Sequence, residues 1–215
     1  MNTWKEYYTR NLPHWQPKSG VFNICFRLEG SLPKEVVLGL KQLQDVQYKE
    51  LSKNISDSTL LKEALRKEHD LYFGKFDELL DKSSCGPKYL SSPDIAQIVF
   101  DCLLYWHEQQ RYKLICFTIM PNHVHVILYK IQMPLFSILQ TIKSYTAKLA
   151  NRILDKTGLP FWMQESYDNL VRDRKDLRFK INYILNNPLK AGLCKHWSDW
   201  KFTFLNPEFI DYVDL

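Results

Sequence analysis

His123 and His125 stand two residues apart in the stretch MPNHVHVILYK, where a turn gives way to an apolar run. On a strand, residues i and i+2 project from the same face. The two imidazoles therefore form either a metal-ligand pair or a packed pair of half-buried histidines, and spacing alone does not decide between them. A histidine-triad nucleotide hydrolase needs a third histidine two residues on, where Ile127 stands. A zinc metalloprotease needs H-E-x-x-H on a helix, which is absent.

A second group lies in KDLRFKINYILNNPLKAGL. Leu177, Ile181 and Ile184 have the spacing of a buried helical stripe. Tyr183 falls about a hundred degrees or more from that stripe, and Asn187, four residues later, shares its face. The helix thus presents a phenol and, one turn on, an amide oxygen. Read alone, the pair is equally a surface tyrosine beside a helix-terminal asparagine.

The elements that must position these residues follow from periodicity. Gly20–Leu28 alternates as a strand, and Lys34–Leu80 is helical in character with Gly74 as punctuation. Lys82–Pro93 is a loop, after which Pro93 opens a helix carrying Ile95, Ile98, Val99, Cys102 and Trp106 at helical spacing. Strands are expected at Lys113–Ile119 and His123–Tyr129. The next helix starts at Pro134, with an apolar stripe of Leu135, Ile138, Leu139, Ile142, Leu149 and Ile153 and with Lys148 and Arg152 opposite. A fourth strand is expected at Ser166–Val171 and a last helix from about Arg174 to Asn186, stopping before Pro188. This order predicts an α+β, ferredoxin-like βαββαβ antiparallel sheet with helices on one face. It carries a helical insertion after the first strand and a C-terminal helix, all within a single domain 1–215 whose insertion spans about 34–92.

Net charge is +5, yet residues 141–201 hold twelve Lys/Arg against six Asp/Glu. The positive excess therefore lies in the C-terminal third, as a nucleic-acid surface or as a solvated helical face. No apolar run is long enough to cross a bilayer. The opening MNTWKEYYTRNLPHW lacks an apolar signal core, so a cytoplasmic location without membrane association is expected. Five cysteines form no C-x-x-C pair, and the three in apolar segments are expected to be buried free thiols.

MPNHVHVIL, a basic helix, FWMQESYDNLVRD and YILNNPLKAGL, in this order and spacing, resemble the REP-associated tyrosine transposases, of the single-tyrosine HUH transposase superfamily. RNLPHWQPKSGVFNICFRLEGSLP and HWSDWKFTF also look like that family, so the resemblance runs along nearly the whole chain. It implies that His123 and His125 hold a divalent metal, Mg²⁺ or Mn²⁺, that Tyr183 is the nucleophile, and that Asn187 completes the metal site, with Gln164 and Glu165 in reserve. The implied activity is nicking and rejoining of single-stranded DNA beside a hairpin, through a covalent 5′-phosphotyrosine that leaves a free 3′-hydroxyl. Lys148, Arg152, Arg172, Arg174, Lys175, Arg178 and Lys190 would meet the DNA, by a monomer or a homodimer. Trp162, Tyr167 and Phe161 are either base-stacking platforms or core residues. Two rivals remain open. One is a catalytically silent DNA-binding protein derived from a transposase; the other is a metal-dependent hydrolase of small phosphoesters, which would need neither Tyr183 nor the basic third.

Overall fold

The computed structural model describes residues 7–9, 13–83 and 85–214, with side chains from residue 16 on. Part of the opening segment, and Arg10–Leu12 of the first family-like motif, lie outside the described residues. The chain forms two compact units, residues 1–29 with 88–215, and residues 30–87.

The larger unit is built on a five-stranded sheet. Its strands are β3 (Phe22–Arg27), β4 (Lys113–Ile119), β5 (His123–Tyr129), β6 (Tyr167–Leu170) and β7 (Thr203–Leu205), in the order β6-β3-β5-β4-β7. Each neighbouring pair is antiparallel. The first four strands give the ferredoxin-like order expected from βαββαβ. β7 extends the sheet beyond β4 and was not among the strands expected from the sequence; three residues are too few to show an alternation. β1 (Tyr7–Thr9) and β2 (Pro13–Trp15) form a separate antiparallel hairpin.

Two crossover helices, α3 (Pro93–Glu108) and α4 (Leu135–Ile153), pack on one sheet face. The core there comprises Ile95, Val99 and Leu103 of α3 and Leu135, Ile138 and Ile142 of α4. They meet Phe22, Ile24, Val124, Val126 and Leu128 of the sheet. The expected stripe of α4 is corrected in its last two turns. Ile153 is 51% exposed, and Thr146, Ala150 and Asn151 are buried instead. By helical phase Ile153 still falls on that face, five turns after Leu135, but it is the last residue of α4, where the helix ends.

The other face carries α5 (Arg174–Leu185), whose Leu177, Ile181, Ile184 and Leu185 pack with Ile115, Cys116 and Ile127. Each aliphatic side chain buried here contributes about 1.5–3 kcal/mol. A bulge makes this second core possible. Leu114 pairs with Leu128 and Cys116 with Ile127, so Ile115 is an extra residue in β4. The bulge sends both Ile115 and Cys116 to the α5 side and returns Phe117 and Ile119 to the other. Cys25, Cys102 and Cys116 are buried, and none of the three forms a disulfide. Burial pushes Cys102 up to about 12 and Cys116 well above the usual thiol range, which makes both poor nucleophiles.

The smaller unit consists of two helices, α1 (Lys34–Asn54) and α2 (Ser58–Lys82). The break between them falls at Ile55–Asp57, not at Gly74, which sits inside α2. The Asp57 carboxylate accepts from the Thr59 and Leu60 amides, both at 2.8 Å, and so starts the second helix. An isolated glycine lacks that power to end a helix and only weakens it. No helix among the described residues is long and apolar enough to cross a membrane.

Candidate active site

β5 begins at its site. Met120–Asn122 turns the chain from β4, and the Met120 amide donates to the His123 carbonyl at 2.9 Å. The Leu28 amide, just after β3, donates to the Asn122 carbonyl at 2.9 Å and ties the turn to the neighbouring strand. Alternation then sends Val124, Val126 and Leu128 into the α3–α4 core and His123 and His125 to the α5 side. Both imidazoles are buried.

The rings stand almost perpendicular, at 88°, with centroids 4.7 Å apart and Nε2 atoms 3.0 Å apart. Asn122 Oδ1 lies 2.7 Å from His123 Nδ1. An amide oxygen can only accept, so His123 Nδ1 carries the proton and its Nε2 lone pair points towards His125. Asn122 is not among the side chains expected at the site. Its signal is present in the motif, since an amide directly before a ligand histidine can fix the ring's tautomer.

α5 brings the second group. Asp173 caps its start, accepting from the Asp176 amide at 2.8 Å. The Asp176 carboxylate accepts from the Arg172 amide and side chain and from Lys180 Nζ at 3.0 Å. Burial, the largest influence, raises the Asp176 carboxyl; the Arg172 hydrogen bonds and the Lys180 charge together outweigh it and hold the carboxyl below its usual range. The helix continues almost without interruption into α6 (Asn187–Lys190), where Pro188 occupies a first-turn position that needs no amide hydrogen. Asn187 is therefore still one turn past Tyr183.

The expected partners meet. Asn187 is fully buried, and its Nδ2 lies 3.3 Å from His125 Nε2. A 180° turn of the amide exchanges Nδ2 for Oδ1 without moving another atom. The Tyr183 ring is 6.1 Å from the His125 ring at 88°. Tyr183 is half-buried, so the site reaches solvent at the phenol. Lys190 Nζ lies 4.3 Å from the centre of the Tyr183 ring.

Register across the sheet adds neighbours that no local pattern could supply. Arg27 pairs with His123, and Cys25 and Thr118 flank His125, all directed to the histidine face. Thr118 Oγ1 is 2.9 Å from Thr203 Oγ1 on β7. Tyr167, a competing phenol, pairs with Cys25 and is buried. Tyr145, the other competitor, lies exposed on α4, across the sheet from the histidines.

The seven cations named above do not form one cluster. Lys148 and Arg152 are exposed on α4, on one side of the sheet; Arg172, Arg174, Lys175, Arg178 and Lys190 belong to the other. Among the latter, Arg172 meets Asp176, Arg178 Nη2 meets Asp214 Oδ1 at 2.6 Å, and Arg174 lies over the Tyr212 ring. Trp162 and Phe161 are core residues: both are buried, and Trp162 Nε1 donates to Thr146 Oγ1 at 2.9 Å. Gln164 and Glu165 line a cleft of about 410 Å³ along α4, where Lys143 Nζ donates to the carbonyls of Met163, Gln164 and Glu165.

Fold and site together define an α+β protein that gathers two imidazoles, an amide and a phenol on one face of an antiparallel sheet. Residues 88–187 match the family described as "Transposase IS200 like", a span that contains all four of those side chains. A Haemophilus influenzae relative assigned to the REP-associated tyrosine transposases is 26% identical over 114 residues, 45% of this chain and 60% of the relative. The REP-associated tyrosine transposase of Escherichia coli is 38% identical over 42 residues, 20% of this chain and 26% of the relative. The matched stretches thus span less than two thirds of either relative. The solved structure of a REP-associated tyrosine transposase bound to a REP hairpin superposes with a TM-score of 0.51 over 94% of this chain and 82% of that one, at 15% identity. The chain resembles the REP-associated tyrosine transposases in sequence motifs and in fold.

Proposed function

We propose that the protein nicks and rejoins single-stranded DNA through a covalent 5′-phosphotyrosine at Tyr183. The observation that carries this reading is the placement of Tyr183 against His125, whose Nε2 also faces those of His123 and the Asn187 amide. A phenol oxygen both attacks and leaves, which cleavage without loss of the phosphodiester energy requires. The Tyr183 oxygen gives up its proton to water and forms its bond to phosphorus as the bond to the 3′ oxygen breaks; that oxygen takes a proton from water and departs as a 3′-hydroxyl. Rejoining reverses these steps when a 3′-hydroxyl attacks the phosphotyrosine.

The donor set fits a divalent cation. Two Nε2 atoms converge within 3.0 Å, one tautomer is fixed from behind by Asn122, and an amide stands at 3.3 Å. His123, His125 and Asn187 would hold Mg²⁺ or Mn²⁺, and two imidazoles favour Mn²⁺. A bound ion supplies polarisation of the phosphoryl oxygen and offsets the charge that builds on it. Lys190, beside the phenol, supplies positive charge where a phosphate would approach.

The partner in this reading is single-stranded DNA next to a hairpin. The structural neighbour supports it, since that transposase is bound to a REP hairpin. The uneven charge of the chain supports it as well. The test is a denaturing gel: with Mn²⁺ and a hairpin oligonucleotide with single-stranded flanks, the chain forms a covalent adduct that Tyr183→Phe does not form. An adduct that persists in Tyr183→Phe and maps to Tyr145 or Tyr167 moves the nucleophile; cleavage with no adduct in either protein replaces the transferase reading with a hydrolase.

A further inference from the structure

Phe179 is 67% exposed, more than any other large hydrophobic side chain among the described residues for which exposure is high. A single exposed phenylalanine is ordinary on a protein surface. This one differs in what lies beside it. It precedes Tyr183 by four residues, so both rings stand on one face of α5, about 6 Å apart along the axis. Their planes are near-parallel, at 26°, with centroids 6.3 Å apart. The Tyr183 ring also lies 4.3 Å from Lys190 Nζ. Along one strip of the molecule there is thus an exposed apolar ring, the candidate nucleophile and a cation.

Resting on the nicking reading above, we infer that Phe179 is a stacking platform for an unpaired nucleobase, that of the nucleotide adjoining the phosphate attacked by Tyr183. The chemistry of the strip matches one nucleotide step of a single strand. A base has an apolar π-face for Phe179, and its phosphate carries the charge that Lys190 complements. A phenyl ring accepts any base, so this contact positions the strand without selecting its sequence. Trp162 and Phe161 cannot take that role, because both are buried in the α3–α4 core. Phe179 reaches no reacting atom; it is a positioning residue.

The test uses the full chain with Tyr183→Phe, so that binding is measured without chemistry. Its probe is a hairpin oligonucleotide whose single-stranded flank carries 2-aminopurine at one position at a time. With Phe179 present, fluorescence is quenched at one position beside the cleavage point. Phe179→Ala abolishes that quenching and weakens binding roughly ten-fold, whereas Phe179→Trp keeps both. An abasic nucleotide at the quenched position costs the same factor with Phe179, and nothing further with Phe179→Ala. In the Tyr183 background, Phe179→Ala slows adduct formation and leaves divalent-ion affinity unchanged. An unchanged quenching profile and affinity in Phe179→Ala, with adduct still forming on Tyr183, overturns the platform and leaves the nicking reading standing. Quenching that depends on Phe179 without any adduct in the Tyr183 protein keeps the platform and overturns nicking. No binding of this DNA by either protein overturns both.

Discussion

The two faces of β5 are made from alternate residues of one seven-residue strand, and they do different work. Val124, Val126 and Leu128 enter the core beneath α3 and α4. His123 and His125 turn to the side of α5, beside Cys25, Arg27 and Thr118. The first face is apolar and closed by two long helices. The second holds polar groups whose positions are fixed by hydrogen bonds rather than by packing alone: Asn122 on His123, and Asn187 at His125. Stability should therefore reside mainly on one face and chemistry on the other, and substitutions on each should separate the two.

The largest effect is expected at the phenol. Tyr183→Phe should abolish the covalent adduct on denaturing electrophoresis while leaving DNA affinity, measured by gel shift, and the urea midpoint nearly unchanged. Next comes the pair of imidazoles. His123→Ala with His125→Ala should remove divalent-ion binding in Mn²⁺ titration calorimetry, and cleavage with it; an unchanged Mn²⁺ affinity would break the assignment of this face.

On the apolar face, Leu128→Ala should cost about 2–5 kcal/mol of stability in urea unfolding, because it opens a cavity in a filled core. Its effect on adduct formation should extend no further than the loss of folded protein. Charge gives a smaller effect. Lys148→Glu with Arg152→Glu on α4, and Lys190→Ala beside Tyr183, should each weaken binding to hairpin DNA without altering the urea midpoint. For every phosphate that a substitution leaves unneutralised, the slope of log affinity against log salt should fall by about 0.9 in the hairpin stem and about 0.7 in the single strand. The comparison is sharpened if only Lys190→Ala also slows the adduct, since Lys190 alone of these three lies against the phenol.

The smallest effect concerns pH. The folded-state pKa of Asp176 lies below the ordinary carboxylate value of about 3.9. Its contribution to stability is thus complete above that value and is lost as pH falls through the folded pKa. Asp176→Asn should flatten the acid limb of a stability-against-pH curve measured by urea unfolding, and should loosen the start of α5.

Local pattern was enough for several parts of this protein. The spacing of His123 and His125 sets both on one strand face, and β4 and β5 have the bounds expected from the sequence. The phase of Leu177, Ile181 and Ile184 turns Tyr183 and Asn187 away from the centre of their own apolar stripe. These are consequences of periods of two and 3.6 residues, which any short window of sequence carries. Motif order carries the family resemblance in the same way. What no window carries is pairing between distant segments. The extra residue at Ile115 sends two successive side chains of β4 to one face, and no local pattern marks it. The docking of α5 on the histidine face, rather than beside α3 and α4, depends on the core that this bulge helps to build. Arg27 becomes the neighbour of His123 across the sheet only once the strands are assembled. Sequence determined which side chains share a face where an element is regular; the tertiary structure decided the bulge in β4 and which faces meet, because these depend on apolar burial and strand register between residues far apart in the chain.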